Sequence, residues 1–273
     1  MNRLLDRLDV LHRALDDTAP AAVAASGGVD SMTLAFIAHR RLKERLSVFH
    51  ATSPAVPASA TERVEAYAAK EGWALAIVDA GEFGDERYMA NPANRCFFCK
   101  INLYGTLAAK TEKQLLSGTN LDDLGDWRPG LKAAEAEGVR HPFVEAGIGK
   151  ATVRRLAAHF GLDDLAELPA APCLSSRIET GLRINPELLP KIDQVEALLR
   201  KRLSPETVRC RLRKDGVVIE LDQTTFNRLG AAGRPALTGE IAVILGARHA
   251  SAITFEPYRR GSAFLRKSSE AKP

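Results

Sequence analysis

The chain has 273 residues, 45% of them hydrophobic and 26% charged, with a formal net charge of +4. That length supports a full-sized core and two domains, and no apolar run approaches the roughly 20 residues that a bilayer span requires. With aromatics at 6%, the modest positive charge suits an anionic small molecule and disfavours nucleic acid or a membrane as a partner.

Residues 1–17 place Leu4, Leu5, Leu8, Leu11 and Leu15 on one helical face. This entry helix is charged throughout, unlike a signal peptide, and fits a cytoplasmic chain. Ala21–Ala25 reads as a first strand and Met32–Leu42 as the helix after it. Leu46–Thr52, Trp73–Val78 and Gln114–Ser117 read as further strands, separated by a helix over Ser59–Glu71 and another beginning near Cys99. This alternation predicts an α/β fold, a doubly wound parallel sheet with ligands at the carboxyl ends of its strands. Ser26 and Gly118 both fall at such ends, so the first and fourth strands are expected to converge on one site. Lys150–Gly161 reads as another helix, followed by a proline-broken loop over 168–172 that leads into Cys173. Beyond Pro186 the pattern predicts a smaller α+β domain. It has a helix over Glu187–Leu203, then strands over Thr207–Arg213 and Val217–Leu221 about the turn Lys214-Asp215-Gly216. A helical stretch, a last strand near Ala252–Phe255 and a polar tail from Lys267 to Pro273 complete it. The expected division is 1–180 and 181–273.

The segment Ala24-Ala25-Ser26-Gly27-Gly28-Val29-Asp30-Ser31 lies between the first strand and its helix. A glycine pair there lets backbone N–H groups face an anion, and the helix dipole adds partial positive charge at the same point. Ser26 and Ser31 supply hydroxyls, and Asp30 can hold a divalent cation, Mg²⁺, beside phosphates. A plain glycine turn is the alternative. The spacing matches neither GxxxxGK[ST] nor GxGxxG. It resembles instead the PP-loop of ATP pyrophosphatases, which cleave ATP between its α- and β-phosphates.

Four cysteines in a reducing compartment point to metal binding or catalysis more than to disulfides. Cys96 and Cys99 form a CxxC pair, and Cys173 offers a third thiol. Three thiolates can hold a [4Fe–4S] cluster, although packed, reduced cysteines would share the spacing. Cys210 lies mid-strand between Arg209 and Arg211, facing the other side of the sheet as a core thiol. Arg177 could grip a substrate phosphate, and Arg209 with Arg211 could form an anion clamp, unless they are solvated arginines. Gly118-Thr119-Asn120-Leu121-Asp122-Asp123-Leu124-Gly125-Asp126 offers N–H groups, an amide and carboxylates for a nucleotide, or else a capped polar turn. Lys150 opens a helix and could reach ATP phosphates. The six histidines form no paired metal spacing.

The blocks SGGVDS, NPANRCFFCK, GTNLDDLGDWRPGLKAAEAEGV, GKATVRRLAAHFGL and APCLSSRI occur in the order found in the LarE family, and nearly the whole chain resembles it. These are ATP-dependent sulfur transferases of the adenine nucleotide alpha hydrolase superfamily. The resemblance implies a HUP-like PP-loop domain that takes ATP and Mg²⁺ through Ala24, Ser26, Gly27, Gly28, Asp30, Ser31, Gly118 and Asn120. A smaller domain would help bind substrate and assemble a homo-oligomer. It further implies adenylylation of a small anionic carboxylate, in this family a pyridinium mononucleotide on the way to a nickel-pincer cofactor. Sulfur would follow from Cys173 itself, or from a [4Fe–4S] cluster on Cys96, Cys99 and Cys173; all three cysteines are present. Arg177, Arg209 and Arg211 would hold the substrate phosphate. The departures fall where substrate is chosen: Ser176-Arg177-Ile178-Glu179-Thr180-Gly181 stands near a usual SRIPYG, and Thr254-Phe255-Glu256-Pro257-Tyr258-Arg259 near DLEGYR. A PP-loop tRNA thiolase and a non-catalytic adenine-nucleotide-binding protein are the alternative readings.

Overall fold

The computed structural model describes residues 2–125, 129–246, 253–259 and 261–262. Asp126, Ala252 and the expected tail from Lys267 to Pro273 lie outside these. The chain folds into two compact units. The first comprises Met1–Ser53, Ala58–Asp85 and Asn94–Ala171; the second comprises Pro54–Pro57, Glu86–Ala93 and Pro172–Pro273. This differs from the expected division at 180, and it puts Cys173 and Arg177 in the second unit.

The first unit carries strands β1 (Ala21–Ala24), β2 (Leu46–Thr52), β3 (Leu75–Asp79) and β4 (Gln114–Ser117), all parallel in the order β3-β2-β1-β4. The doubly wound α/β sheet is as expected. Alternation along β1 shows how both faces are covered. Ala21 and Val23 join the larger core, with Leu11 and Leu15 of the helix Asn2–Asp17, Met32 and Phe36 of Val29–Leu42, Val64 and Tyr67 of Ala58–Glu71, and Val153 and Leu156 of Lys150–His159. Ala22 turns to the opposite core, where Phe49, Val78 and Leu115 meet Tyr104 and Leu107 of the helix Arg95–Ala108. The small side chains of β1 let helices approach the central strand from both sides.

After β1 the chain moves outward through β2 to β3, then returns to β4 on the other flank. The order therefore reverses between β1 and β4, and the carboxyl ends at such a reversal are where open α/β sheets bind ligands. Arg95–Ala108 begins earlier than expected, after Asn94, so Cys96 and Cys99 lie inside its first turns.

In the second unit, β5 (Val208–Arg213) and β6 (Gly216–Leu221) form the expected antiparallel hairpin, with Arg213 opposite Gly216. The expected last strand is β7 (Ile253–Pro257), after helices over Gln223–Leu229 and Arg234–Leu245; its pairing parallel to β6 was not expected. The helix Leu188–Leu203 buries Leu189, Ile192, Val195 and Leu199, one stripe at helical spacing. Among the described residues no helix is long and apolar enough to cross a membrane.

Candidate functional site

The loop between β1 and the helix Val29–Leu42 is built by its own hydroxyls. Ser26 N–H donates to Ser31 Oγ at 2.9 Å, the two Oγ atoms lie 3.1 Å apart, and Ser31 Oγ donates to Gly28 O at 3.2 Å. Gly28 is the N-cap with no side-chain cap, so its helix keeps the N-terminal N–H groups that an anion can use.

Gly27 has φ +78°, and a Cβ there would come within 2.6 Å of Ala60 O. Only glycine fits that pocket against the helix Ala58–Glu71. The same helix secures the loop further: Arg63 donates to Gly27 O at 2.8 Å. The buried His50 donates through Nδ1 to Ala25 O at 2.8 Å and faces Thr61 Oγ1 at 2.9 Å through Nε2.

Gly118 follows β4, where a Cβ would stand 2.6 Å from Ser31 N and 2.8 Å from the Asp30 carbonyl carbon. The two strand exits therefore meet backbone to backbone, as their positions in the sequence suggested. Gly118→Ala should push them apart; an overpacking cost of about 1–3 kcal/mol is expected, together with weaker ATP binding. Thermal unfolding and nucleotide titration of the variant check this, and unchanged ATP affinity would count against the shared site.

Asp30 sits at this junction within a closed ring of polar side chains. Its Oδ1 accepts from Asn120 Nδ2 at 3.2 Å, and its Oδ2 from Lys150 Nζ at 2.5 Å. Asn120, 1% exposed, caps the short helix Leu121–Leu124 through a capping box with Asp123. Its Oδ1 accepts from Asp122 N–H at 3.0 Å, and Asp122 in turn accepts from the Lys150 backbone N–H. An ammonium group thus rests on the carboxylate oxygen that a divalent cation would contact. The Asp30 carboxylate itself is an oxygen ligand of the kind Mg²⁺ takes, and its partners here are an amide N–H and an ammonium. Beside the ring, Ser117 Oγ meets His141 Nδ1 at 2.7 Å and Thr119 Oγ1 at 2.9 Å, and burial holds the His141 imidazole below its usual range.

The cysteines separate by environment. Cys96 is exposed, Cys99 half-buried, Cys173 exposed and Cys210 buried, and none is in a disulfide. Cys96 and Cys99 lie one helical turn apart in the first unit, whereas Cys173 belongs to the second. Among the described residues no three His, Cys, Asp or Glu side chains gather as a metal centre. The CxxC pair has the chemistry of half a cluster site. Burial pushes the Cys210 thiol far up, in keeping with a core thiol.

The arginines of the second unit depart from the expected anion clamp. Arg177 is 2% exposed and forms a two-point ion pair with Glu196, Nε–Oε1 at 2.8 Å and NH2–Oε2 at 2.9 Å. Arg211, also buried, donates to Glu220 Oε2 at 3.0 Å and to Ser176 O at 2.9 Å. Both guanidiniums are directed at groups of their own unit and not, as the resemblance implies, at a substrate phosphate. Arg209 differs: it is half-buried, donates to Val208 O at 2.7 Å and lies 5.9 Å from the centre of the Tyr258 ring. Burial and the neighbouring Arg177 charge lower its pKa.

Sequence reasoning missed His50, Arg63, His141 and Glu196. Each acts on a partner distant along the chain, and no local spacing marks them.

No family model matches the chain. It is 37% identical over 222 residues to an uncharacterized protein of Synechocystis, covering 80% of this chain and 82% of that one. An uncharacterized protein of Methanocaldococcus jannaschii is 29% identical over 73% of this chain and 77% of its own length. A more distant relative, 28% identical over 82% of each chain, is the pyridinium-3,5-bisthiocarboxylic acid mononucleotide synthase of Lactiplantibacillus plantarum, an enzyme. At the identity and coverage of the first of these, the chain belongs to one family with the Synechocystis protein.

Proposed function

We propose that this chain is an ATP-dependent sulfur transferase of the LarE kind, acting on the carboxylates of a pyridinium mononucleotide. The observation that supports the reading is the contact of Gly118 and Asn120, after β4, with Asp30 and Ser31, after β1, beside the Ser26-Gly27-Gly28 loop. The distant kinship with the Lactiplantibacillus synthase supports a pyridinium mononucleotide as the acceptor.

In this reading the loop N–H groups and the Ser26 and Ser31 hydroxyls hold the phosphates released as pyrophosphate, and Ala24 and Asn120 line the nucleotide. Asp30 would hold Mg²⁺, which when bound neutralises phosphate charge. The Lys150 ammonium moves from Asp30 to a phosphate as that cation enters. A substrate carboxylate oxygen attacks the α-phosphorus, the α–β bridging bond breaks and pyrophosphate departs. The acyl adenylate is then open to attack at its carbonyl carbon, with AMP leaving. Cys173, exposed on its loop, is the sulfur-delivering residue. A [4Fe–4S] cluster on Cys96, Cys99 and Cys173, when bound, would supply sulfide as an alternative source. Arg209 is the arginine best disposed to meet the substrate phosphate. A cytoplasmic homo-oligomer is the proposed form.

The test is pyrophosphate release from ATP on adding pyridinium-3,5-dicarboxylic acid mononucleotide, with mass analysis of the nucleotide. Release coupled to exchange of carboxylate oxygen for sulfur is expected. ATP binding without release would favour a nucleotide-binding protein, and release only with tRNA would favour a thiolase.

A further inference from the structure

We propose that Arg177, clamped by Glu196, is the positioning residue that holds the backbone carrying Cys173. This rests on the reading of Cys173 as the sulfur-delivering residue.

The Cys173 thiol is exposed, yet the residues that follow it, Leu174 to Ile178, are buried. Their backbone and side chains are fastened one after another within the second unit. Leu174 N–H donates to Ala55 O at 2.8 Å, Ser175 Oγ meets Tyr88 OH at 2.6 Å, and Ser176 O accepts from Arg211. Cys173 thus stands at the edge of an anchored segment.

Arg177 closes that edge. Its NH1 reaches Pro172 O at 2.6 Å, Cys173 O at 3.3 Å and Ser176 Oγ at 3.0 Å, so one guanidinium nitrogen spans both carbonyls flanking the Cys173 Cα. Its Nε and NH2 are taken by Glu196. Glu196, fully buried, also accepts from Cys210 N–H at 3.0 Å and Arg200 NH2 at 3.0 Å. Four donors fill the acceptor capacity of a carboxylate.

Burial alone would raise the Glu196 carboxyl; the hydrogen bonds and charge of Arg177 and the Cys210 N–H outweigh it and hold the group below its usual range. The anion is therefore fixed in the helix Leu188–Leu203 and the hairpin strand β5, two rigid elements, and Arg177 transmits that fixity to the loop. A buried ion pair is weak evidence for stability by itself. The directional fork, reaching a carboxylate on one side and two loop carbonyls on the other, is what a positioning role requires. Lysine carries the charge without the fork.

Arg177→Lys and Glu196→Gln test this in the full-length protein, with ATP and pyridinium-3,5-dicarboxylic acid mononucleotide as probes. Pyrophosphate release and the KM values for both substrates should stay within twofold of the parent. Sulfur transfer per adenylate should fall by about 10²-fold, the loss that a 1 Å misplacement causes. Amide hydrogen exchange should quicken over residues 173–176 in both variants, a readout independent of turnover. Parent-like exchange there with parent-like sulfur transfer would overturn the inference. So would a rise in the KM of the mononucleotide at unchanged kcat, which would make Arg177 a substrate ligand. Cys173→Ala separates the underlying reading: if that variant still transfers sulfur, the reading of Cys173 has failed, whatever Arg177 does.

Discussion

Replacing Asp30 with asparagine should lower pyrophosphate release from ATP by about 10³-fold, near 4 kcal/mol of barrier, while leaving the fold intact. The size of the effect follows from the position of Asp30. It stands in the first turn of the helix Val29–Leu42, where the segments leaving β1 and β4 touch, and both its oxygens face polar donors. Asparagine keeps the shape and can still accept from Asn120. It cannot hold a divalent cation by charge, and its amide N–H₂ confronts the Lys150 ammonium with a donor. Phosphoryl transfer is catalysed mainly by positioning and by neutralising charge on the transferring group, so the loss falls on kcat. The stability cost should be small. The Asp30 and Lys150 side chains are 24% and 36% exposed, and such partly solvated pairs contribute about 0–1 kcal/mol. Excess Mg²⁺ should restore part of the rate if Asp30 binds the cation. Release within tenfold of the parent at ordinary Mg²⁺ would remove Asp30 from the reaction.

Much of the first unit could be read locally. The β-α alternation predicts a parallel sheet, and the apolar run Ala21–Ala25 predicts its first strand, because each signal lies within a few residues of the element it specifies. The glycine positions were legible for the same reason: Gly27 and Gly118 fall where strands end. The second unit was legible only in part. The Asp215-Gly216 turn announces its hairpin, but Pro54–Pro57 and Glu86–Ala93 join it through contacts far along the chain. Asn91 donates to the carbonyls of Glu179 and Leu182, and Tyr88 meets Ser175, pairings that no short pattern encodes. Arg177 shows the same limit at a single residue. Two places before it is a serine and four before it a cysteine, a context that suggests an anion site. Its actual partner is Glu196, nineteen residues on, and a guanidinium goes to whichever carboxylate the tertiary packing buries beside it. The parallel return of β7 depends on a crossover through two helices, which strand propensity cannot report.

Cys173→Ala should abolish sulfur transfer while pyrophosphate release continues, because the two half-reactions draw on different units. The phosphate loop, Asp30 and Gly118 all lie in the first unit, and Cys173 lies in the second. Removing an exposed thiol deletes no packing, so the stability change should stay within about 0.5 kcal/mol. Without sulfur the acyl adenylate is left to water, which regenerates the carboxylate. ATP should then be consumed without thiocarboxylate, a futile release that a coupled assay reads directly. The source of sulfur follows from the other cysteines and from the mass of the protein. If Cys173 is consumed, its Sγ attacks the acyl carbon as AMP leaves with the C–O electron pair. Loss of the Cys173 Cα proton then breaks the Cβ–Sγ bond, leaving thiocarboxylate and dehydroalanine. The protein would become lighter by one hydrogen sulfide after a single turnover, and Cys96→Ser and Cys99→Ser would transfer sulfur normally. If sulfide is the donor, the polypeptide mass is unchanged and all three substitutions stop transfer together. Cys210→Ser should affect neither half-reaction; its cost is to stability, since a hydroxyl is buried where the thiol packs. Thiocarboxylate formed by Cys173→Ala at the parent rate would refute both routes.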